Sequence, residues 1–265
     1  MTDEPTLDSR FHPTGPLAGQ PAGQPAGPAA PPSGGDNLVG RLRDLVAKPG
    51  RLMDHVGARP QWWVPGLIIF VVMVVFAWVT APISGPEQME MMRDSKLMSM
   101  MPEEQWQAQY DAALNVTPAK RAIQAMTAGF MGWLSVIVFG FILGFFVRMS
   151  GGKGTFRQAL GVTSWAALLP FALGPIIKAP LILATESVFR VNIGLAALMP
   201  GGEPGSPVFQ ALLAYGDFLT WWGLFVLVIG FSRVFGLTRN AAITSVVLPW
   251  ALLSLIPLGL SMLFM

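Results

Sequence analysis

No cysteine occurs anywhere in the chain, which excludes disulfides, thiolate metal sites and cysteine nucleophiles together. Histidine is nearly absent too. His12 falls in a Pro- and Gly-rich tail and His55 in an amphipathic stretch, so neither is placed to serve a metal or acid–base site inside an apolar bundle. G-x-S-x-G and H-E-x-x-H patterns are also missing, and the expectation is a protein that is not an enzyme and carries no cofactor. The stretch SGGKGTF from Ser150 lacks the spacing of a phosphate-binding loop, because Gly154 follows Lys153 where Ser or Thr is required. Charge is scarce as well: 12% of residues are Asp, Glu, Lys or Arg, against about a quarter in ordinary soluble domains. The formal net charge of +2 is too small, and the basic residues too scattered, to suggest nucleic-acid binding.

What is abundant is apolar surface, at 52% of 265 residues with a mean hydropathy of +0.53. Long uncharged runs of this kind imply helices, since in lipid each backbone polar group must be satisfied within its own segment. The sequence therefore predicts an all-α membrane protein with five transmembrane helices, over residues 64–84, 122–147, 158–184, 207–232 and 240–263. They form a membrane domain over 60–265, preceded by a disordered tail over 1–37 and a juxtamembrane amphipathic segment over 38–59. Tyr215 to Asn240 is the central stretch, uncharged from Phe218 to Ser232, with Gly216, Gly223 and Gly230 at intervals of seven along one predicted helix face. Gly140 and Gly144 make a GxxxG pair in the second span, expected as an internal seam ahead of a dimer contact. Pro170, Gly174-Pro175 and Pro180 should break the regularity of the third span.

Outside the spans, the tail's AGQPAGQPAGPAAPPSGG composition buries too little apolar surface to offset ordering entropy. No basic-then-apolar start precedes it, which places the N-terminus on the side of synthesis. In residues 38–56 the apolar positions alternate with Arg41, Arg43, Lys48 and Arg51, a pattern suited to lying in anionic headgroups or to docking a cytosolic partner. Trp62 and Trp63 follow where an aromatic belt belongs. Met89, Met92, Met98 and Met101 offer thioethers to a soft ion such as Cu(I), but without Cys or His beside them an amphipathic helix covering the span ends is the favoured reading. Asp217 is the one acid expected inside a span, about 15 Å along it from Pro207. It is read first as a structural clamp, with Lys178 as its partner, and second as a proton or cation site. Basic residues before span one, between two and three, and between four and five put the N-terminus in the cytoplasm and the C-terminus outside.

Three blocks, KPGRLMDHVGARPQWWVP, GGKGTFRQALGVTSWAALLP and GDFLTWWGLFVLVIGFSRVFGLTRNAAITSVVLPW, resemble the Yip family of Ypt/Rab-interacting membrane proteins in its bacterial branch, over residues 40–263. The resemblance implies a cytosolic N-terminal region, a five-helix domain and a bacterial inner-membrane location. Eukaryotic relatives bind prenylated Rab-type GTPases. This chain has Arg59-Pro60-Gln61-Trp62-Trp63 in place of their acidic, tyrosine-containing motif, so Rab binding is not carried over. The expected role is a membrane scaffold or adaptor whose partners are lipids and proteins at the cytosolic face, with a second copy of the chain as a further candidate. Transport of a small solute or ion past Asp217 and the kinked third span is the alternative.

Overall fold

The computed structural model describes residues 37–93, 101–191, 193–198, 209, 212 and 215–264. The tail, Met98 and the predicted PGGEPGSP turn with Ser206-Pro207 lie outside them. Nine α-helices make up most of the described residues: α1 Leu38–Ala47, α2 Pro49–Ala58, α3 Trp63–Met92, α4 Glu103–Leu114, α5 Pro118–Met149, α6 Phe156–Leu168, α7 Gly174–Thr185, α8 Phe218–Phe235 and α9 Arg239–Phe264. No strand occurs among them, only one isolated antiparallel bridge between Gly194 and Asp217.

Local chemistry sets many of the boundaries. The Asn37 side chain accepts from the Gly40 N–H at 2.7 Å and starts α1, and Pro49 at the first position of α2 forces the break at Lys48. Thr117 caps α5 in front of Pro118. Thr155 and Gln158 form a reciprocal capping box at α6, which the T-x-x-Q spacing signals in the sequence. The predicted irregularity of the third span appears as a π-helical turn over Leu169–Leu173, with Pro170 inside it, joining α6 to α7. Gly236, at φ +66°, closes α8 in the left-handed conformation.

Among the described residues, four helices are long and apolar enough to cross a membrane: Trp63–Met91, Pro118–Met149, Phe156–Thr185 (α6, the π turn and α7 together) and Phe218–Phe235. The helix anticipated as a fifth span, α9, is apolar over Arg239–Leu255 but shorter than these in that part. The anticipated fourth span differs at its start. Residues 209, 212 and 215 are helical, but the chain leaves the helix at Gly216 and Asp217, and α8 begins only at Phe218. The break comes from a distant segment, because the Leu195 N–H donates to the Gly216 carbonyl at 3.0 Å and pulls it out of the helical ladder.

The core runs between the helices, around Trp165, Val162 and Leu169 of the third span, Leu143 of α5, and Phe231 and Val226 of α8. α3 packs along α5, α5 on α6, and α8 on α2, α6 and α9. The placement of α1 and α2 departs from the expectation of a segment lying in the headgroups. Their apolar face is occupied by protein: Leu45, Leu52, Met53 and Val56 are each no more than 3% exposed, against the ends of α6 and α8. A face that buries Leu and Met is equally satisfied by protein or by lipid, and here the bundle fills it.

Candidate functional site

The glycines decide how closely the helices approach. A Cβ on Gly140 would lie 2.8 Å from Leu160 Cδ2, and one on Gly144 3.0 Å from Ala159 Cβ, so the GxxxG pair forms the seam between α5 and α6. Gly223 faces the Ala166 carbonyl and Pro170, and Gly230 faces Val162 and the Met53 sulfur. Gly216 does not share their helix. It sits in the break before α8, where its carbonyl carries the Leu195 contact.

At the end of the bundle that carries Arg148, Lys153, Arg157, Arg233 and Arg239, α1 and α2 are pinned by polar contacts as well as by burial. Gln158 takes the Thr155 N–H at 2.7 Å on Oε1 and donates from Nε2 to the Gly57 carbonyl at 2.8 Å, tying the start of α6 to the end of α2. Arg233 Nη1 meets Asp54 Oδ2 at 2.6 Å, joining α8 to α2. Arg41 Nη1 donates to Gln61 Oε1 at 2.8 Å, and Arg51 Nε lies 3.6 Å from Asp44, whose residue is 4% exposed. Of the basic residues singled out in the sequence, Arg41 and Arg51 therefore hold the segment together, while Arg43 is exposed beside Lys48. Trp62 is half-buried and Trp63 exposed.

At the opposite end the geometry around Asp217 is specific. Its Oδ1 accepts the Leu219 N–H at 2.8 Å and its Oδ2 lies 2.5 Å from Lys178 Nζ, so one carboxylate caps α8 and binds α7 at once. Asp217 is thus the N-cap of its helix and not a charge within the span. A second carboxylate acts similarly nearby: Glu87 of α3 accepts from the Ser187 hydroxyl and, at 2.6 Å, from the Val188 N–H. Neither Glu87 nor the Arg233–Asp54 pair is visible in the sequence, because their partners lie about a hundred residues or more away.

Of the four methionines singled out, three are described. Met89 and Met92 lie in α3, and Met101, just before α4, accepts from Gln109 Nε2 at 3.6 Å through its sulfur. No group of three or more His, Cys, Asp or Glu is arranged to hold a metal among the described residues. The described side chains build a docked basic cap at one end, two carboxylate clamps at the other, and an apolar bundle between.

Among known proteins, no curated protein and no solved structure matches the chain. The model of the Yip1 domain matches residues 43–260, well over half of the sequence and all of the membrane-spanning part described above, and the chain accordingly belongs to the Yip1 domain family of multi-pass membrane proteins.

Proposed function

We propose that this protein is a membrane scaffold or adaptor, with α1, α2 and the basic ends of the bundle forming a cytosolic face for protein partners or anionic lipid. In this reading α9 completes a five-span domain, the N-terminus lies in the cytoplasm and the C-terminus outside, and the membrane is the inner membrane of a bacterium. The observation that carries it is the docking of α2. With Leu45, Leu52, Met53 and Val56 committed to the bundle, Arg43 of α1, Lys48 between the helices and Arg51 of α2 are exposed, as is Trp63 at the start of α3. Basic residues on a helix pair already docked to the bundle suit recognition better than a free amphipathic helix, because the backbone ordering entropy is not lost on binding. Transport past Asp217 has less support, since both carboxylate oxygens are engaged, by Leu219 and by Lys178.

A photo-crosslinker at Trp63 tests the proposal in cells. Capture of a discrete protein, or of anionic lipid, that is lost on combined Arg43→Glu and Lys48→Glu substitution is the expected result. Capture indifferent to charge reversal, together with an ion flux abolished by Asp217→Asn, would overturn it in favour of transport.

A further inference from the structure

A crevice of about 770 Å³ opens between α5, the π turn, α8 and α9. Its walls are hydrocarbon and ring surface, including Phe139 and Ile142 of α5, Ala166 and Pro170 of the third span, Leu224 of α8 and Trp250 of α9. Two of the hydroxyls that border it are already committed, Ser135 to the Gly132 carbonyl at 2.8 Å and Tyr215 to the Ser254 carbonyl at 2.5 Å. A polar solute would therefore find few partners there, and desolvating it would go uncompensated. The crevice is also open sideways. α5 and α9 are fastened at the basic end by the Ser150–Ser245 hydrogen bond of 2.7 Å, while farther along the two helices Val138 and Leu253 are exposed at the crevice rim.

Depth and surroundings identify the occupant. The lining on α5 runs from Met131 to Ile142, about 16 Å of helix at 1.5 Å per residue. That is close to half of a hydrocarbon core of about 30 Å, the reach of one leaflet. α5, the third span and α8 are long and apolar enough to cross a membrane, and, resting on the proposed reading in which α9 completes the five-span domain, the medium at the rim is lipid chains and not water. We infer that the crevice binds one alkyl chain of a membrane lipid, inserted between α5 and α9 from the leaflet at the Asp217 end. Gly223 lends bare backbone to the wall, at a point where it faces the Ala166 carbonyl and Pro170. Thr163, Thr220 and Ser254 bring the other hydroxyls of the lining, and that of Thr163 is buried without a hydrogen-bond partner, a small polar spot that an alkyl chain leaves unused.

The test uses the full chain in phosphatidylethanolamine/phosphatidylglycerol vesicles containing a phosphatidylcholine with a diazirine at mid-chain, followed by photolysis and peptide mapping. Adducts are expected on inward-facing Leu224 and Leu227 in addition to the outward-facing Phe141 and Phe145. Ala167→Phe, which fills the crevice, and Leu253→Trp, which blocks only its rim, should each reduce the inner adducts several-fold and leave the outer ones unchanged. The rim variant retains its meaning even where the filled core fails to fold. Adducts confined to Phe141 and Phe145, or inner adducts that persist in Leu253→Trp, would overturn the site. Thr163→Val should leave inner labelling intact; its loss in that variant would overturn the alkyl-chain assignment in favour of a ligand held by a hydrogen bond.

Discussion

Asp217 shows how much one side chain decides in an apolar setting. Its two oxygens perform separable tasks, capping the α8 backbone at Leu219 and neutralising Lys178 of α7. Asp217→Asn keeps an oxygen for the cap and loses the charge, whereas Asp217→Leu loses both, so the second should be less stable than the first by about 1 kcal/mol, the usual worth of an N-cap. Lys178→Met leaves the mostly buried carboxylate without its counter-ion and should cost about 3 kcal/mol, while the double variant Lys178→Met/Asp217→Asn recovers part of that loss. Thermal unfolding in detergent checks the order; equal losses in Asn and Leu variants would remove the capping role. Tyr110 offers a pH-dependent counterpart outside the spans. Its phenol donates to Glu90 Oε1 at 2.7 Å, and this bond, then desolvation and the charges of Glu90 and Asp111, hold its pKa above the ordinary 10.0. A raised folded-state pKa favours the protonated form, so the contact stabilises the fold below about pH 10 and is lost as pH rises through the folded value. Tyr110 and Tyr215 are the two tyrosines of the chain, so in a Tyr215→Phe background the phenolate absorbance reports Tyr110 alone. Glu90→Gln should move that titration down towards 10.0, and an unchanged curve would show that the bond does not form in solution.

At the scale of elements, what the sequence discloses follows the range of the interaction. Hydropathy locates the spans, the T-x-x-Q box starts α6, and Pro170 marks the π turn, because each signal is carried by neighbours in the chain. Gly140 and Gly144 also do what their spacing suggests, since a helix face without side chains has few uses other than close packing. The start of α8 escapes this logic. Ser206-Pro207 supplies a local start signal, but the break at Gly216–Asp217 depends on Leu195, Gly194 and Lys178, none of them a sequence neighbour. The docking of α2 was equally hidden, because a hydrophobic stripe does not record whether lipid or protein covers it. Met53 tests that docking directly: it is 0% exposed, and Met53→Ala should cost about 2–5 kcal/mol by removing contacts with Gly230 and its surroundings. Amide hydrogen exchange should then accelerate in α1 and α2 while α5 remains protected. Exchange in α1 and α2 that responds to vesicle composition but not to Met53→Ala would place the pair in the headgroups after all.

For the whole molecule, the two ends carry different chemistry, and that asymmetry predicts an orientation. Arg148, Lys153, Arg157, Arg233 and Arg239 gather with α1 and α2 at one end, whereas the opposite end carries the Glu87 and Asp217 clamps together with α4. Positive charge beside short loops is retained on the cytoplasmic side during insertion, so the first end should face the cytoplasm. The absence of cysteine makes this measurable with single substitutions and a membrane-impermeant maleimide on intact cells. Cysteines at Arg43 and Lys153 should be shielded until the cells are opened, and one at Glu104 should react from outside. Ser261 then decides the number of crossings, because it lies on α9 about 33 Å from Arg239 at 1.5 Å per residue, enough to traverse a hydrocarbon core of about 30 Å. Labelling of Ser261→Cys from outside would establish α9 as a fifth span. Labelling only after the cells are opened would mean that α9 returns to the cytoplasmic side. The crevice between α5 and α9 would then lose its transmembrane wall, so the same measurement bears on the lipid-chain site.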